Sequence, residues 1–150
     1  MIDIRKATTS DIPILATLLG YLFEQEKEFS ANIEKQTTGL EMIISEPATG
    51  ELLVAQDADG TIIGMVSLLY TVSTALGGRV ALMEDMVIHP DHRNQGHGSL
   101  LVGAAVALAK EHGCKRITLL TDFDDLAAER FYQKHGFSLS PMVPLRHILE

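Results

Sequence analysis

The feature that most constrains the fold is a strand, a glycine-containing loop and a helix in direct succession. Residues 79–88 form a long, largely apolar run that predicts a strand. His89-Pro90 ends it, because proline cannot donate to a sheet ladder. Residues 99–109 are apolar almost all the way round, which is typical of a helix buried on most sides. A tight turn must therefore join two core elements.

That turn has the properties of a phosphate-binding loop. Gly96 and Gly98 allow the backbone to turn tightly and present its N–H groups. The start of the following helix adds unpaired donors and about half a positive charge, and Arg93 can add a charge-assisted bond. Leu101 stands where the dinucleotide fingerprint needs a third glycine, and no P-loop pattern exists. The loop therefore indicates neither NAD nor ATP.

The flanking segments predict a mixed α+β domain over residues 1–150, with a mostly antiparallel central sheet flanked by helices. Asp57-Ala58-Asp59-Gly60 predicts a hairpin turn, and Gly77-Gly78 a second turn. The predicted strands are 2–7, 51–56, 61–70, 79–88, 114–121, 137–139 and 142–147; the predicted helices are 12–26, 39–45, 99–109 and one from Asp124 or Asp125 to 134.

Composition excludes several classes of protein. The 150 residues include 20 acidic and 12 basic side chains, a net charge of −8, which argues against binding along a nucleic-acid backbone. No run reaches the roughly 18 apolar residues of a membrane span, and the charged start does not resemble a signal peptide. Cys114 is the only cysteine, so no intramolecular disulfide can form, which favours the cytoplasm.

Two separate segments resemble the GNAT superfamily of N-acetyltransferases. Residues 83–98 read MEDMVIHPDHRNQGHG, and the family pattern is Arg or Gln, two residues, Gly, any residue, then Gly or Ala, after a strand ending in Val/Ile-x-Pro. Residues 125–137 read DLAAERFYQKHGF and resemble the downstream motif N-x-x-A-x-x-F-Y-x-x-x-G-F. Asp125 replaces the usual Asn, and an ionised carboxylate only accepts hydrogen bonds. Asp122 could share its role.

The resemblance implies a GNAT-like acyl-CoA N-acyltransferase fold, acetyl-CoA as co-substrate and direct acetyl transfer to a primary amine of a small molecule. It also implies a homodimer. A backbone N–H of Met86 or Val87 would meet the charge that develops on the thioester oxygen. The implied cofactor-binding residues are Met86, Val87, Ile88, Arg93, Asn94, Gln95, Gly96, His97, Gly98, Ser99, Asp125, Ala128 and Phe131.

Acetylation of an amine needs a base. With an amine pKa near 10.4, protonation at pH 7 costs about 4.6 kcal/mol that a positioned base can offset. Glu84 and Asp85 lie on the strand, where alternation puts them on opposite faces unless a bulge intervenes. Resemblance to polyamine-type members favours Glu84, acting directly or through water, with Asp85 structural or substrate-binding. The motif makes Tyr132 the acid that protonates the leaving thiolate.

Other interpretations stay open. The same loop could belong to a non-catalytic acyl-CoA-binding module that senses or scaffolds. His89 and His92 with Asp91 could suggest a metal site, but no further ligands cluster in the sequence, so we expect none. Cys114 has no nucleophile constellation around it.

The acceptor segments carry no motif. We expect residues 20–40 and 67–80 to line the acceptor pocket. Glu24, Glu26 and Glu28 could face a cationic amine, although a solvated helix end is the simpler interpretation. Peptide amines remain alternative acceptors.

Overall fold

A computed structural model describes residues 1–25 and 30–149. Its strands are β1 (Asp3–Lys6), β2 (Gly50–Gln56), β3 (Ile62–Ser73), β4 (Gly78–Ile88) and β5 (Ile117–Leu119). Its helices are α1 (Ile12–Gln25), α2 (Ile33–Ser45), α3 (His97–Glu111) and α4 (Leu126–Gln133), with 3₁₀ turns at Thr9–Asp11 and Pro90–His92. The predicted mixed fold with a flanked central sheet is confirmed.

The sheet runs in the order β1-β2-β3-β4-β5, antiparallel throughout except for the parallel β4–β5 pair. Because successive side chains of β2 point to opposite faces of the sheet, this strand contributes apolar residues to both faces. Leu53 and Ala55 pack with α3, whereas Leu52 and Val54 pack with α1 and Leu40 of α2. The sheet therefore has a separate apolar core on each side.

A β-bulge interrupts β4 next to the glycine loop. Ser67 pairs with Glu84 and Met65 with Val87, so Val66 alone lies opposite Asp85 and Met86. Asp85 has a φ of 55°, a left-handed conformation that is unusual for a residue with a side chain. The extra residue reverses the alternation of β4: Met83 packs on the α3 side of the sheet, and Val87 packs on the α1 side.

The two parallel strands separate just before the bulge. β4 pairs with β5 only from Ala81–Ile117 to Met83–Leu119, and β4 then continues to Ile88 with β3 as its only paired neighbour among the described strands. The chain after Leu119 turns away toward α4. The divergence opens a cleft at the carboxyl ends of both strands, which is where open α/β sheets commonly bind ligands.

Several predicted boundaries were wrong. α2 begins at Ile33 rather than residue 39, because Asn32 Oδ1 accepts a hydrogen bond from the Lys35 N–H at 3.0 Å and caps the helix. β5 covers three residues rather than 114–121. α3 buries one face only, since Leu100, Gly103 and Ala107 are exposed.

The two strands predicted at 137–139 and 142–147 are absent from the described residues. Pro141 and Pro144 each lack an N–H donor, which disfavours a sheet ladder there. Glu26 and Glu28 lie outside the described residues. Within residues 1–25 and 30–149, no helix has the length and apolar character needed to cross a membrane.

Candidate active site

The glycine loop has the backbone geometry of an anion site. Gly96 caps α3 with a φ of 84°, and Asn94 also has a positive φ, of 61°. A Cβ added to Gly98 would lie 3.2 Å from Met86 Cε and 3.3 Å from Phe131 Cζ. The first N–H groups of a helix have no intrahelical acceptors and can bind a ligand. Both glycines are therefore required locally, and the loop fits a pyrophosphate.

Arg93 connects the loop to the rest of the protein. Its Nε donates to the Ile88 carbonyl at 3.1 Å. The Gln25 amide oxygen accepts from Nη1 at 2.9 Å and from Nη2 at 2.8 Å. The guanidinium group thus ties the loop to the carboxyl end of α1.

A cavity of about 620 Å³ occupies the cleft between β4 and β5. β4, α4 and the segment after β5 form one wall, and α1 and α2 form the other. Met86 lines the cavity and also lies against Gly98, so the cavity adjoins the glycine loop. Its polar lining residues include Gln25, Asn32, Lys35, Gln36, Glu84, Asp85, Thr121, Asp122, Asp125, Tyr132 and Arg146.

The two segments expected to line the acceptor pocket differ in their relation to this cavity. Residues between 19 and 43 contribute to the lining, but no residue of 67–80 does. Residues 67–80 cover the end of β3 and the start of β4, on the hairpin side of the sheet and away from the point after Met83 where β5 separates from β4. Arg146, by contrast, joins the lining from the carboxyl-terminal segment, where no sequence motif indicated it.

The bulge places two carboxylates at one cavity. Glu84 is exposed and Asp85 is half-buried, and both line the cavity, so simple alternation does not separate them. The fully buried Ser67 Oγ donates to the Glu84 carbonyl at 3.0 Å and lies 3.5 Å from Asp85 Oδ2. This contact connects the bulge to β3. Glu84 therefore has the more open carboxylate.

Tyr132 reaches the same cavity from α4. Its ring packs edge-on against Phe131 and Phe137, with centroid distances of 5.0 and 5.8 Å. Burial raises the pKa of Tyr132 to about 12, and the nearby Asp125 carboxylate adds to the shift. The hydroxyl therefore carries its proton at neutral pH.

α4 is positioned by bonds at both ends. Asp125 Oδ1 accepts from the Ala128 N–H at 3.0 Å and caps the helix, which gives the Asp at this position a structural task. At the other end, His135 Nε2 lies 3.1 Å from Ser99 Oγ at the start of α3. These contacts fix Phe131 against the loop.

The remaining predicted positions surround the loop. His97 Nε2 lies 3.3 Å from Gln95 Oε1, and the buried His97 Nδ1 has no partner within the described parts of the chain. Val87 is buried in the core, so only its backbone is available to a ligand. His89 Nδ1 accepts from the Asp91 N–H at 3.1 Å. Across residues 1–25 and 30–149, no cluster of His, Cys, Asp and Glu could hold a metal ion.

Comparison with known families decides the class. The acetyltransferase (GNAT) family model matches residues 17–137, a range that includes the glycine loop, α4 and the lining residues of the cleft other than Arg146. The chain belongs to the GNAT family. This GNAT member is therefore an acetyl-CoA-dependent N-acetyltransferase, which favours the enzyme over a non-catalytic binding module.

Relatives of this GNAT enzyme span most of its length. It is 30% identical over 138 residues to the uncharacterized N-acetyltransferase YhfO of Bacillus subtilis, covering 90% of this chain and 89% of that protein. It is 25% identical to the aminoalkylphosphonate N-acetyltransferase of Salmonella typhimurium, covering 92% and 86%. The crystal structure of a predicted acetyltransferase with acetyl-CoA from Clostridium acetobutylicum shares the fold, with a TM-score of 0.78, 20% identity and coverage of 97% and 96%.

Proposed function

We propose that this GNAT enzyme transfers the acetyl group of acetyl-CoA directly to a primary amine of a small molecule. Glu84 is the general base and Tyr132 is the general acid. The observation that carries the proposal is that both side chains line one cavity, which adjoins the glycine loop through Met86. Base, acid and anion-binding backbone thus share one cleft.

Acetyl-CoA supplies the acetyl thioester on which the acceptor amine acts. We assign the pyrophosphate to the loop 93–99, where backbone N–H groups and the α3 start carry the binding. The pantetheine arm follows the exposed edge of Met86, Val87 and Ile88, with Ala128 and Phe131 on its other side. Asp125 contributes through the position of α4, since its carboxylate caps that helix.

Glu84 prepares the nucleophile. Its carboxylate takes a proton from the acceptor ammonium, directly or through one water, and the freed lone pair forms the C–N bond. A backbone N–H of Met86 or Val87 donates to the thioester oxygen as negative charge develops there. Asp85, held by the bulge and by Ser67, orients the ammonium group.

Tyr132 completes the transfer. As the C–S bond breaks, its hydroxyl donates a proton to the leaving sulfur, and the products are the N-acetyl amide and the free CoA thiol. The acylated nitrogen gives its second proton to the Tyr132 phenolate through water, which restores the hydroxyl, while Glu84 releases to solvent the proton it took. A pKa of about 12 keeps the hydroxyl protonated before each turnover.

The charge of the cavity supports a cationic acceptor. Among the described residues, the charged lining consists of the carboxylates Glu84, Asp85, Asp122 and Asp125 and the cations Lys35 and Arg146. The net negative lining favours an ammonium group near the strand carboxylates. A cavity with both carboxylates and cations suits an acceptor that carries an amine and an anionic group. The name of the Salmonella relative, an aminoalkylphosphonate N-acetyltransferase, supports this class of acceptor.

Isothermal titration tests the cofactor assignment. Wild-type protein titrated with acetyl-CoA, NADH and ATP should bind acetyl-CoA alone. Gly96→Asp should abolish that binding, because it adds a side chain to a left-handed backbone and a negative charge beside the pyrophosphate. A folded wild-type protein that binds no acetyl-CoA would overturn the proposal.

Kinetics test the two side chains. In a thiol-release assay with a panel of amines, Glu84→Gln and Tyr132→Phe should each lower kcat by about 10²–10⁴-fold, the usual contribution of general acid–base catalysis. Acetyl-CoA affinity should stay close to wild type, since neither side chain meets the pyrophosphate. Wild-type turnover in both variants would remove these assignments and leave the cofactor assignment standing. Release with peptide amines only would replace the small-molecule acceptor.

We also propose that the enzyme works in the cytoplasm as a homodimer with one domain over residues 1–150. The lone Cys114 supports a reducing compartment. Fractionation of cells that express the full protein would check the location.

A further inference from the structure

The catalytic cavity contains an amine that belongs to the protein itself. Lys35 lies in the first turn of α2 and is one of the residues that line the cavity of about 620 Å³. Glu84 and Tyr132, the proposed base and acid, line the same cavity. Of the lysines that the structure describes, at positions 6, 35, 110, 115 and 134, Lys35 alone has this location. Its side chain ends in a primary amine, the group on which the proposed reaction acts.

The start of α2 is anchored, which defines the position of Lys35. The next residue, Gln36, is buried, and its Nε2 donates to the Ala16 carbonyl of α1 at 2.7 Å. The Asn32 side chain caps the helix by accepting from the Lys35 N–H at 3.0 Å. The backbone of Lys35 is therefore held beside α1, on the cavity wall that faces β4.

The ammonium group of Lys35 is not engaged elsewhere. The residue is exposed, and within residues 1–25 and 30–149 its Nζ has no ion pair or hydrogen bond. By contrast, Lys6 Nζ lies 3.3 Å from Glu51 Oε2. A lysine carries its ammonium on a flexible four-carbon stem, and the carboxylates of Glu84 and Asp85 on the facing wall attract it. Lys35 can therefore present its amine where an external acceptor would bind.

We propose that the enzyme acetylates its own Lys35 when no acceptor amine occupies the cavity, an inference that rests on the proposed acetyl transfer. Glu84 takes a proton from the Lys35 ammonium, directly or through one water, and the Nζ lone pair forms a bond to the carbonyl carbon of the thioester. The C–S bond breaks, and the Tyr132 hydroxyl protonates the sulfur. The second Nζ proton passes to the phenolate through water, so the products are Nε-acetyl-Lys35 and the free CoA thiol.

Acetylation of Lys35 changes the acceptor site. The acetylated side chain is neutral, so Arg146 is then the single cation among the described residues that line the cavity. The added acetyl group also takes up part of the cavity. We therefore expect an acceptor amine bound in the cavity to protect Lys35 from acetylation.

Mass spectrometry of the wild-type protein, incubated with saturating acetyl-CoA and no amine, is the first measurement. Peptide mapping should show Lys35 acetylated at least about tenfold faster than Lys110, a small part of the advantage that proximity gives a positioned amine. Lys110 is the matched internal reference, because it is an exposed lysine of α3 that does not line the catalytic cavity. Dilution of the protein should leave the rate constant for Lys35 unchanged, as transfer within one molecule requires.

Three variants assign the chemistry. Glu84→Gln should slow the acetylation of Lys35 by about 10²–10⁴-fold, while Lys110, which reacts outside the site, keeps its slow rate. Lys35→Arg keeps the positive charge and removes the amine that can be acetylated, so the rapid mass increase of one acetyl group should disappear. Lys110→Arg should retain that increase.

Thiol release with the amine panel, measured on the same protein, separates this inference from the proposed function. If amines are acetylated but Lys35 reacts no faster than Lys110, self-acetylation is overturned and the proposed function stands. The same conclusion follows if a saturating acceptor does not slow the acetylation of Lys35, because Lys35 then reacts outside the cavity. If neither the amines nor Lys35 are acetylated, both proposals are overturned.

Discussion

Replacing three glycines by alanine, one at a time, tests the geometry of the loop. Gly103 lies in the middle of α3 on its exposed face, and a Cβ added there would have no atom within 4 Å. Gly96 also has open space, but its φ is 84°. The two positions therefore differ in backbone conformation and not in packing, which makes one the control for the other.

The expected free energies have opposite signs. Alanine at Gly103 should stabilise the fold by about 1 kcal/mol, the usual difference between Ala and Gly inside a helix. Alanine at Gly96 should destabilise it by about 1–2 kcal/mol, the cost of a left-handed backbone for a residue with Cβ. For a chain of this size each kcal/mol shifts Tm by about 2–4 °C. Gly98→Ala should fall between them, because its Cβ presses on Met86 and Phe131.

Urea unfolding and titration with acetyl-CoA measure the two consequences separately. Gly96→Ala should weaken acetyl-CoA binding, because any relief of its strained φ redirects the loop N–H groups, whereas Gly103→Ala should bind as wild type does. If Gly96→Ala stabilises the protein as much as Gly103→Ala, the left-handed turn is refuted. If Gly96→Ala is destabilised but binds acetyl-CoA normally, the loop is not the anion site.

Three further outcomes follow from the contacts. Arg5 Nη1 donates to Asp11 Oδ2 at 2.8 Å, and this bond holds the pKa of Asp11 below its usual range. The pair therefore stabilises the fold above the unfolded pKa of about 3.9, and this contribution is lost as the pH falls through the lower pKa of Asp11 in the folded protein. Urea unfolding should show that the difference in free energy of unfolding between wild type and Asp11→Asn becomes smaller over that pH range. A difference that does not change with pH would contradict this expectation. Gln25→Leu removes the hydrogen-bond acceptor of Arg93, a contribution of roughly 1 kcal/mol, and should weaken acetyl-CoA binding about fivefold. Gln25→Glu keeps an acceptor and should retain the affinity in the same titration. An equal loss of affinity in both variants would exclude the hydrogen bond as the cause. Because the pKa of Tyr132 is about 12, the pH profile of kcat/KM should show no fall assignable to this hydroxyl below about pH 11; a fall near pH 9 that disappears in Tyr132→Phe would contradict the burial argument.

The central unit was predictable because its signals are local. An apolar run, a proline stop and two glycines before an apolar helix specify β4, the loop and α3 with few alternatives. The hairpin at Asp57 also followed from local chemistry, since Asp57 Oδ1 accepts from both the Asp59 and Thr61 N–H groups. Interactions within a few residues can be read directly from a sequence.

Features set by distant contacts could not be predicted. The early start of α2 depends on its Asn32 cap and on packing against α1, where the buried Gln36 donates to the Ala16 carbonyl at 2.7 Å. Arg93 appeared in the sequence as a phosphate ligand, yet its bonds to Gln25 and Ile88 depend on where α1 ends. Arg146 reaches the cavity from outside both motifs, nine residues beyond the end of the nearer motif at Phe137.

The bulge in β4 joins the fold to the proposed chemistry. A regular strand would alternate Glu84 and Asp85 across the sheet, so one carboxylate would leave the cleft. The extra residue keeps both carboxylates at the cavity, and it also directs the Val87 side chain into the core on the α1 side of the sheet. The left-handed Asp85 costs on the order of 1–3 kcal/mol, which buried neighbours such as Ser67 and Val87 must offset. The strained backbone of Asp85 is therefore what allows two neighbouring carboxylates to line one cavity. A variant in which β4 is a regular strand should lose the paired carboxylates before it loses the sheet.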